Sequence, residues 1–257
     1  MERHTISISL VHEAVAVARQ RGVDIEALLL QAQIPPDLMA APLSRVTAQS
    51  YAKLWSAVAA AMDDEFFGMD SHPMRRGSFR LMCLCALGCA TLGEALKRML
   101  DFLRLVLDDV QGILVCAEDR ASIVLHDSGL PLRAFSYATY LLLVHGLACW
   151  LVGRRLPLQS LSFRCAEPPE VGDYRTRFCE SLAFEATHTQ ALMDASLLDL
   201  RVVQDERSAV AFLAEAPGSL LVKYRNEASL STTIRRHLRR LAPEDWPDVD
   251  SLASSLQ

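Results

Sequence analysis

From Phe135 to Val152 the chain runs F-S-Y-A-T-Y-L-L-L-V-H-G-L-A-C-W-L-V, without a single Asp, Glu, Lys or Arg. A helix built from these residues is apolar on every side, so it must be enclosed all round by lipid or by protein. Its length reaches only the lower limit for a bilayer, roughly 18–20 residues. Ser136, Thr139, His145 and two tyrosines interrupt it, arginines flank both ends, and no second apolar span follows. The expectation is a central core helix and no membrane partner.

The rest of the chain has enough apolar material to wrap such a helix. Of its 257 residues 51% are hydrophobic and 22% charged, the composition of a globular domain with a sizeable core. The net charge of −5 argues against a nucleic-acid surface spread over the whole molecule. The opening M-E-R-H-T-I-S-I-S lacks the apolar core of a signal peptide, which points to the cytoplasm. Seven cysteines, an odd number without secretory context, read as reduced thiols.

The first 65 residues are patterned as helices. Ile8, Val11, Val15 and Ala18 share a face that ends at Gly22, Asp24 can cap I-E-A-L-L-L-Q-A, and Thr47 can cap A-Q-S-Y-A-K-L-W. Thr91 and Glu94 form a capping-box pattern that starts a helix over Leu92–Leu105. After Val106 the period changes. L-V-L-D-D-V-Q-G-I-L-V-C-A-E and R-A-S-I-V-L-H-D predict a hairpin turning at Asp119-Arg120, and L-Q-S-L-S-F-R-C-A alternates as a half-buried strand. L-A-F-E-A-T-H-T-Q-A-L-M-D adds a strand or hairpin, and a shorter helix is expected near 170–181. The fold class is therefore α+β: an antiparallel sheet of about four to five strands covered by helices, a helical N-terminal region and a C-terminal helical connector. One main domain over residues 1–220 is expected, then a short region over 221–257.

That last region carries its own signal. Ile234, Leu238 and Leu241 mark one helical face, and Arg235, Arg236, His237, Arg239 and Arg240 fill the remainder. Pro243 and Pro247 break it, and Asp248 or Asp250 can cap a helix bearing Val249, Leu252, Ala253 and Leu256. This I-R-x-x-L-x-x-L helix, acidic proline-containing link and D-x-L-A-x-x-L helix resemble the opening of the DNA-binding domain of AraC/XylS-type transcription regulators. Upstream, R-G-V-D-I-E-A-L-L-L, S-R-V-T-A-Q-S-Y-A-K-L-W, F-F-G-M and A-L-G-C-A-T-L-G-E-A-L resemble the arabinose-binding-like N-terminal domain of one branch of that family. The resemblance implies an effector sensor joined to a helix-turn-helix whose recognition helix is absent from this sequence. Promoter DNA would then be a partner only in a longer chain, through phosphate contacts from Arg235, Arg236, Arg239 and Arg240. A homodimer is implied as well, because operators are symmetric.

No catalytic signature is present: G-x-S-x-G, G-x-x-x-x-G-K-[ST], H-E-x-x-H and C-x-x-C are all missing, so no enzyme, cofactor or metal is expected. Cys83 lies about 200° round a helix from Cys85, so Cys83, Cys85 and Cys89 do not converge on one ion and read as small apolar side chains. His145 needs a hydrogen-bond partner inside its dry helix, either a core carbonyl or an effector's polar head. Arg164 reads as solvated, or, if bent inward, as a partner for a carboxylate. The expected effector is small and apolar, fatty-acid-like rather than a sugar. It is expected between the sheet and the helices around 79–105 and 135–152, against Phe79, Met82, Cys83, Phe102, Leu103, Tyr140, Leu141, His145, Phe163 and Arg164. The alternative is a constitutive dimerisation module with a solid core and no pocket.

Overall fold

The computed structural model describes residues 5–127, 129 and 131–221. A short ribbon opens it, β1 (Thr5–Ser7) antiparallel to β2 (Arg45–Thr47), with α1 (Ile8–Gln20) and α2 (Ile25–Gln31) between them. α3 (Ala48–Met62), α4 (Ser78–Leu87) and α5 (Leu92–Val106) follow. The hairpin β3 (Val110–Ala117) and β4 (Arg120–Asp127) leads to α6 (Ala134–Leu151). Then come β5 (Ser160–Ser162), α7 (Val171–Arg177), β6 (Leu182–Ala183), β7 (Thr189–Asp194), α8 (Glu206–Ala214) and α9 (Gly218–Leu221).

The helix starts follow the capping residues. Ser50 N–H donates to Thr47 Oγ1 at 3.0 Å, and Ala27 N–H to Asp24 Oδ1 at 3.1 Å. Gly22 takes a left-handed φ of 77°, which closes α1. At α5 the capping box is displaced by a residue: Glu94 N–H reaches Thr91 Oγ1, but the Glu94 carboxylate accepts from Ala90 N–H at 2.9 Å.

Five strands form the main sheet in the order β3-β4-β7-β5-β6. All its neighbouring pairs are antiparallel except β5 with β6, which run parallel, so the sheet is mixed at that edge. The long second β run divides into β6 and β7, and the expected helix near 170–181 is confined to Val171–Arg177. The hairpin turn is Glu118-Asp119, with Ala117 opposite Arg120, one residue earlier than the sequence suggested.

α6 is the axle of the molecule. Every residue from Ala134 to Leu151 except Gly146 is buried, which is how a helix without a polar face becomes stable in water. It is the one described helix long and apolar enough to cross a membrane, and it lies wholly inside the protein. Gly112 on β3 permits close approach on one side: a Cβ there would meet Leu100 and the Tyr140 hydroxyl, each at 2.7 Å. Gly146 does the same on another side, where a Cβ would meet Leu220 of α9 at 2.8 Å. The chain thus returns from the sheet and lays α8 and α9 back over α3, α4 and α6. Neither the β1–β2 ribbon nor α8 was foreseen in the sequence.

A candidate cleft beneath α8 and α9

A cleft of about 440 Å³ lies between α3, α4 and α6 on one side and α8 and α9 on the other. This is within the range of roughly 300–1,000 Å³ common for small-molecule sites. Trp55, Phe79, Leu143, Leu213 and Leu220 supply its apolar wall, and Glu65, Arg76, Arg80 and Glu206 its polar groups.

Local structure holds the wall in place. Trp55 Nε1 donates to Glu65 O at 3.0 Å. The Glu65 carboxylate accepts from Gly77 N–H at 2.7 Å and Phe79 N–H at 2.8 Å, so it closes the otherwise unpaired start of α4 and orients Phe79. Burial raises the Glu65 carboxyl above the ordinary range, and those two N–H donors oppose the rise. Phe212 anchors α8 by stacking on Trp150, with centroids 4.4 Å apart and planes at 14°. Gln204 Nε2 donates to Trp150 O at 2.7 Å. Arg177 donates to the carbonyls of Leu220 and Leu221 at the end of α9.

The charges at the cleft are unevenly committed. Glu65 is occupied by backbone donors. Arg76 and Arg80 are exposed, and neither forms an ion pair among the described residues. Glu206 stands in the first turn of α8, where an acid complements the helix dipole.

Of the ten ligand residues expected from sequence, only Phe79 lines this cleft. Met82, Cys83 and Leu103 are fully buried, Leu141 is nearly so, and Phe102 is half-buried on α5. Burial pushes the Cys83 thiol up to about 12, away from thiolate chemistry. The Tyr140 hydroxyl accepts from Gly112 N–H at 3.1 Å. Phe163 stacks on Phe184 at 5.1 Å, with Tyr174 tilted against it at 5.8 Å. His145 Nε2 lies 3.0 Å from Leu156 O, which requires the neutral ring to carry its proton on that nitrogen. The imidazole's partner is a core carbonyl. Arg164 turns inward to pair with Asp127 and donates to Gly129 O at 2.7 Å; Asp127 also accepts from the Tyr137 hydroxyl. Arg235, Arg236, Arg239 and Arg240 lie outside the described residues. Among those described, no cluster of His, Cys, Asp and Glu could hold a metal ion.

Sequence reasoning missed the cleft because its wall comes from segments far apart in the chain. The one local clue was the apolar spacing of Ala209, Phe212 and Leu213 after the Asp205 cap.

No curated protein matches this chain. Among solved structures, the transcriptional regulator CdpR from Pseudomonas aeruginosa aligns over 95% of this chain and 73% of its own, at 15% identity and a TM-score of 0.40. The family described as the N-terminal arabinose-binding domain of AraC transcription regulators matches residues 22–202, and the chain belongs to it.

Proposed function

We propose that this is the effector-sensing part of a cytoplasmic AraC-type regulator without enzymatic activity, and that a small apolar acid, fatty-acid-like in character, occupies the cleft beneath α8 and α9. The observation that carries this reading is the roof of the cleft. α8 and α9 are the last described elements before residues 222–257, so a molecule seated there touches both the sensor body and the route out of it. A ligand that binds better when α8 and α9 are closed over α3 and α4 shifts the population toward that arrangement. Aromatic and aliphatic walls suit an acyl chain, and the exposed Arg76 and Arg80 suit a carboxylate head, Arg76 sharing its charge with Glu65. In this reading promoter contacts come from the Arg235–Arg240 region in a longer chain, and two copies act together on a symmetric operator.

The test is a thermal-shift and calorimetric comparison of octanoate, octanol and octylamine on the full chain, with arabinose and glucose as controls. Octanoate is expected to raise the melting temperature most. Changing both Arg76 and Arg80 to Gln should reduce its affinity about tenfold, to the level of octanol. Stabilisation by the sugars and by no acyl compound would overturn the reading.

A further inference from the structure

The cleft has a neighbour. A second hollow of about 830 Å³ adjoins it, and the two share Ser56, Ala214, Ala216 and Pro217. Along α3 the cleft takes in Trp55, Ser56 and Ala59, while the second hollow reaches from Ala57 back to Ala48. The turn between α8 and α9 therefore borders both spaces.

The two compartments differ in chemistry. Where the cleft has Trp55, Phe79, Leu143 and Leu213, no aromatic ring and no branched aliphatic side chain lines the second hollow. Its polar groups are Gln31, Gln49, Lys53, Ser56, Glu215 and Ser219. Lys53 Nζ donates to Gln33 Oε1 at 2.5 Å, and Ser219 Oγ to Phe212 O at 3.2 Å. Ser56 Oγ donates to Ala52 O at 3.1 Å, which leaves its oxygen able to accept. The exposed amides of Gln31 and Gln49 each offer both a donor and an acceptor. With Lys53 balanced by Glu215, the hollow carries no net charge. Such a lining gives little to a methyl end and opposes a second carboxylate with Glu215, whereas a neutral hydroxyl or amide finds partners of both kinds.

We propose that the site takes a two-headed acyl compound. Its carboxylate sits at Arg76 and Arg80, its chain fills the cleft, and its far end carries a neutral hydroxyl or amide held in the second hollow by Gln31, Gln49 and Ser56. This deepens the reading of the cleft as an acyl-acid site and rests on it. The direction follows from Glu65, which binds Trp55 Nε1 through its carbonyl and the start of α4 through its carboxylate. That linkage brings Arg76 to the Trp55 end of the path, away from Gln49. From Ala59 back to Gln49 the path follows α3 for roughly 15 Å. A twelve-carbon acid, roughly 15 Å long when extended, covers that distance, and an eight-carbon acid, roughly 10 Å long, stops short of it. A ligand of the longer kind touches the α8–α9 turn from both compartments.

The test is calorimetric titration of the full chain with octanoate, 8-hydroxyoctanoate, dodecanoate and 12-hydroxydodecanoate. In the eight-carbon pair the hydroxyl is left against apolar walls and is expected to weaken binding about tenfold. In the twelve-carbon pair it reaches the second hollow and is expected to strengthen binding about fivefold. The double variant Gln31→Ala, Gln49→Ala, changed only at exposed side chains, is expected to cut that gain to less than about twofold. A hydroxyl that weakens binding at both lengths, or a gain that survives intact in the double variant, overturns the second compartment, and octanoate binding in the same series leaves the cleft reading standing. Failure of all four acids to bind overturns both.

Discussion

His145 gives this protein a built-in sensitivity to acid whose size follows from its surroundings. The imidazole is 6% exposed on α6, with Leu156 O 3.0 Å from Nε2. Burial lowers its pKa from 6.5 to about 4; the Leu156 bond opposes that fall, and the nearby Arg177 and Arg155 reinforce it. Between those two values the unfolded chain binds more protons than the folded one, so stability is complete above pH 6.5 and drains away as pH falls toward 4. The linkage amounts to about 2 kcal/mol lost by pH 5 and about 3 kcal/mol by pH 4. The raised carboxyls of Asp64, Glu65 and Glu170, all shifted chiefly by burial, act in the opposite sense and gain stability on acidification. They are common to a His145→Gln variant, whose amide still offers a donor for Leu156 O and does not titrate. Urea unfolding of the two proteins at pH 7 and pH 5, followed by tryptophan fluorescence, isolates the histidine. The wild type should lose about 2 kcal/mol more than the variant over that interval. Equal losses would refute the claim that a neutral, enclosed imidazole is part of the fold.

Three further outcomes are expected. Gly146→Ala should push Leu220 off α6 and cost about 1–2 kcal/mol, with proteolysis appearing first around residues 214–221, because the new methyl would sit 2.8 Å from Leu220 Cδ2. Phe212→Ala removes the ring stacked at 4.4 Å on Trp150 and should cost about 3 kcal/mol in chemical denaturation, with a red shift of tryptophan emission. Alkylation of the native protein by iodoacetamide at pH 8 should label the exposed Cys85 and Cys116 within minutes, and Cys83, with its thiol pushed up to about 12, only after unfolding.

The readable parts of the fold were those whose cause is local. A run with no polar face has few places to go, and α6 went to the centre. Asp24 and Thr47 cap their helices because a short side-chain oxygen can reach the free N–H two or three residues on. The same logic failed where the partner is distant. Arg164 read as solvated or, bent inward, as a carboxylate's partner, and the alternation of its strand could not choose between them; the ladder of β5 stops at Ser162, Arg164 N–H bonds to Thr189 Oγ1, and the guanidinium meets Asp127. His145 was expected to need a partner. That the partner is Leu156, supplied by the chain doubling back after α6, is a tertiary fact with no periodic signature. The cleft is the extreme case, since Trp55, Phe79, Leu143 and Leu213 meet only after every helix is in place.

This division between local and distant causes also bears on where a sensor of this shape could respond. α6 is packed on all sides, so shifting it would disturb the whole core, and a small ligand has too little differential binding energy for that. α8 and α9 span Glu206–Ala214 and Gly218–Leu221, too short to persist as helices by themselves. They are held by the Phe212 stack, the Leu220 seat on Gly146 and the Arg177 bonds to the last carbonyls. Elements held by a few contacts open at a fraction of the global free energy. A ligand wedged beneath them need contribute only the 1–3 kcal/mol typical of allosteric coupling to change their population. In the proposed sensor the response therefore belongs to α8 and α9, and the rigid axle beneath them serves as the surface against which they close.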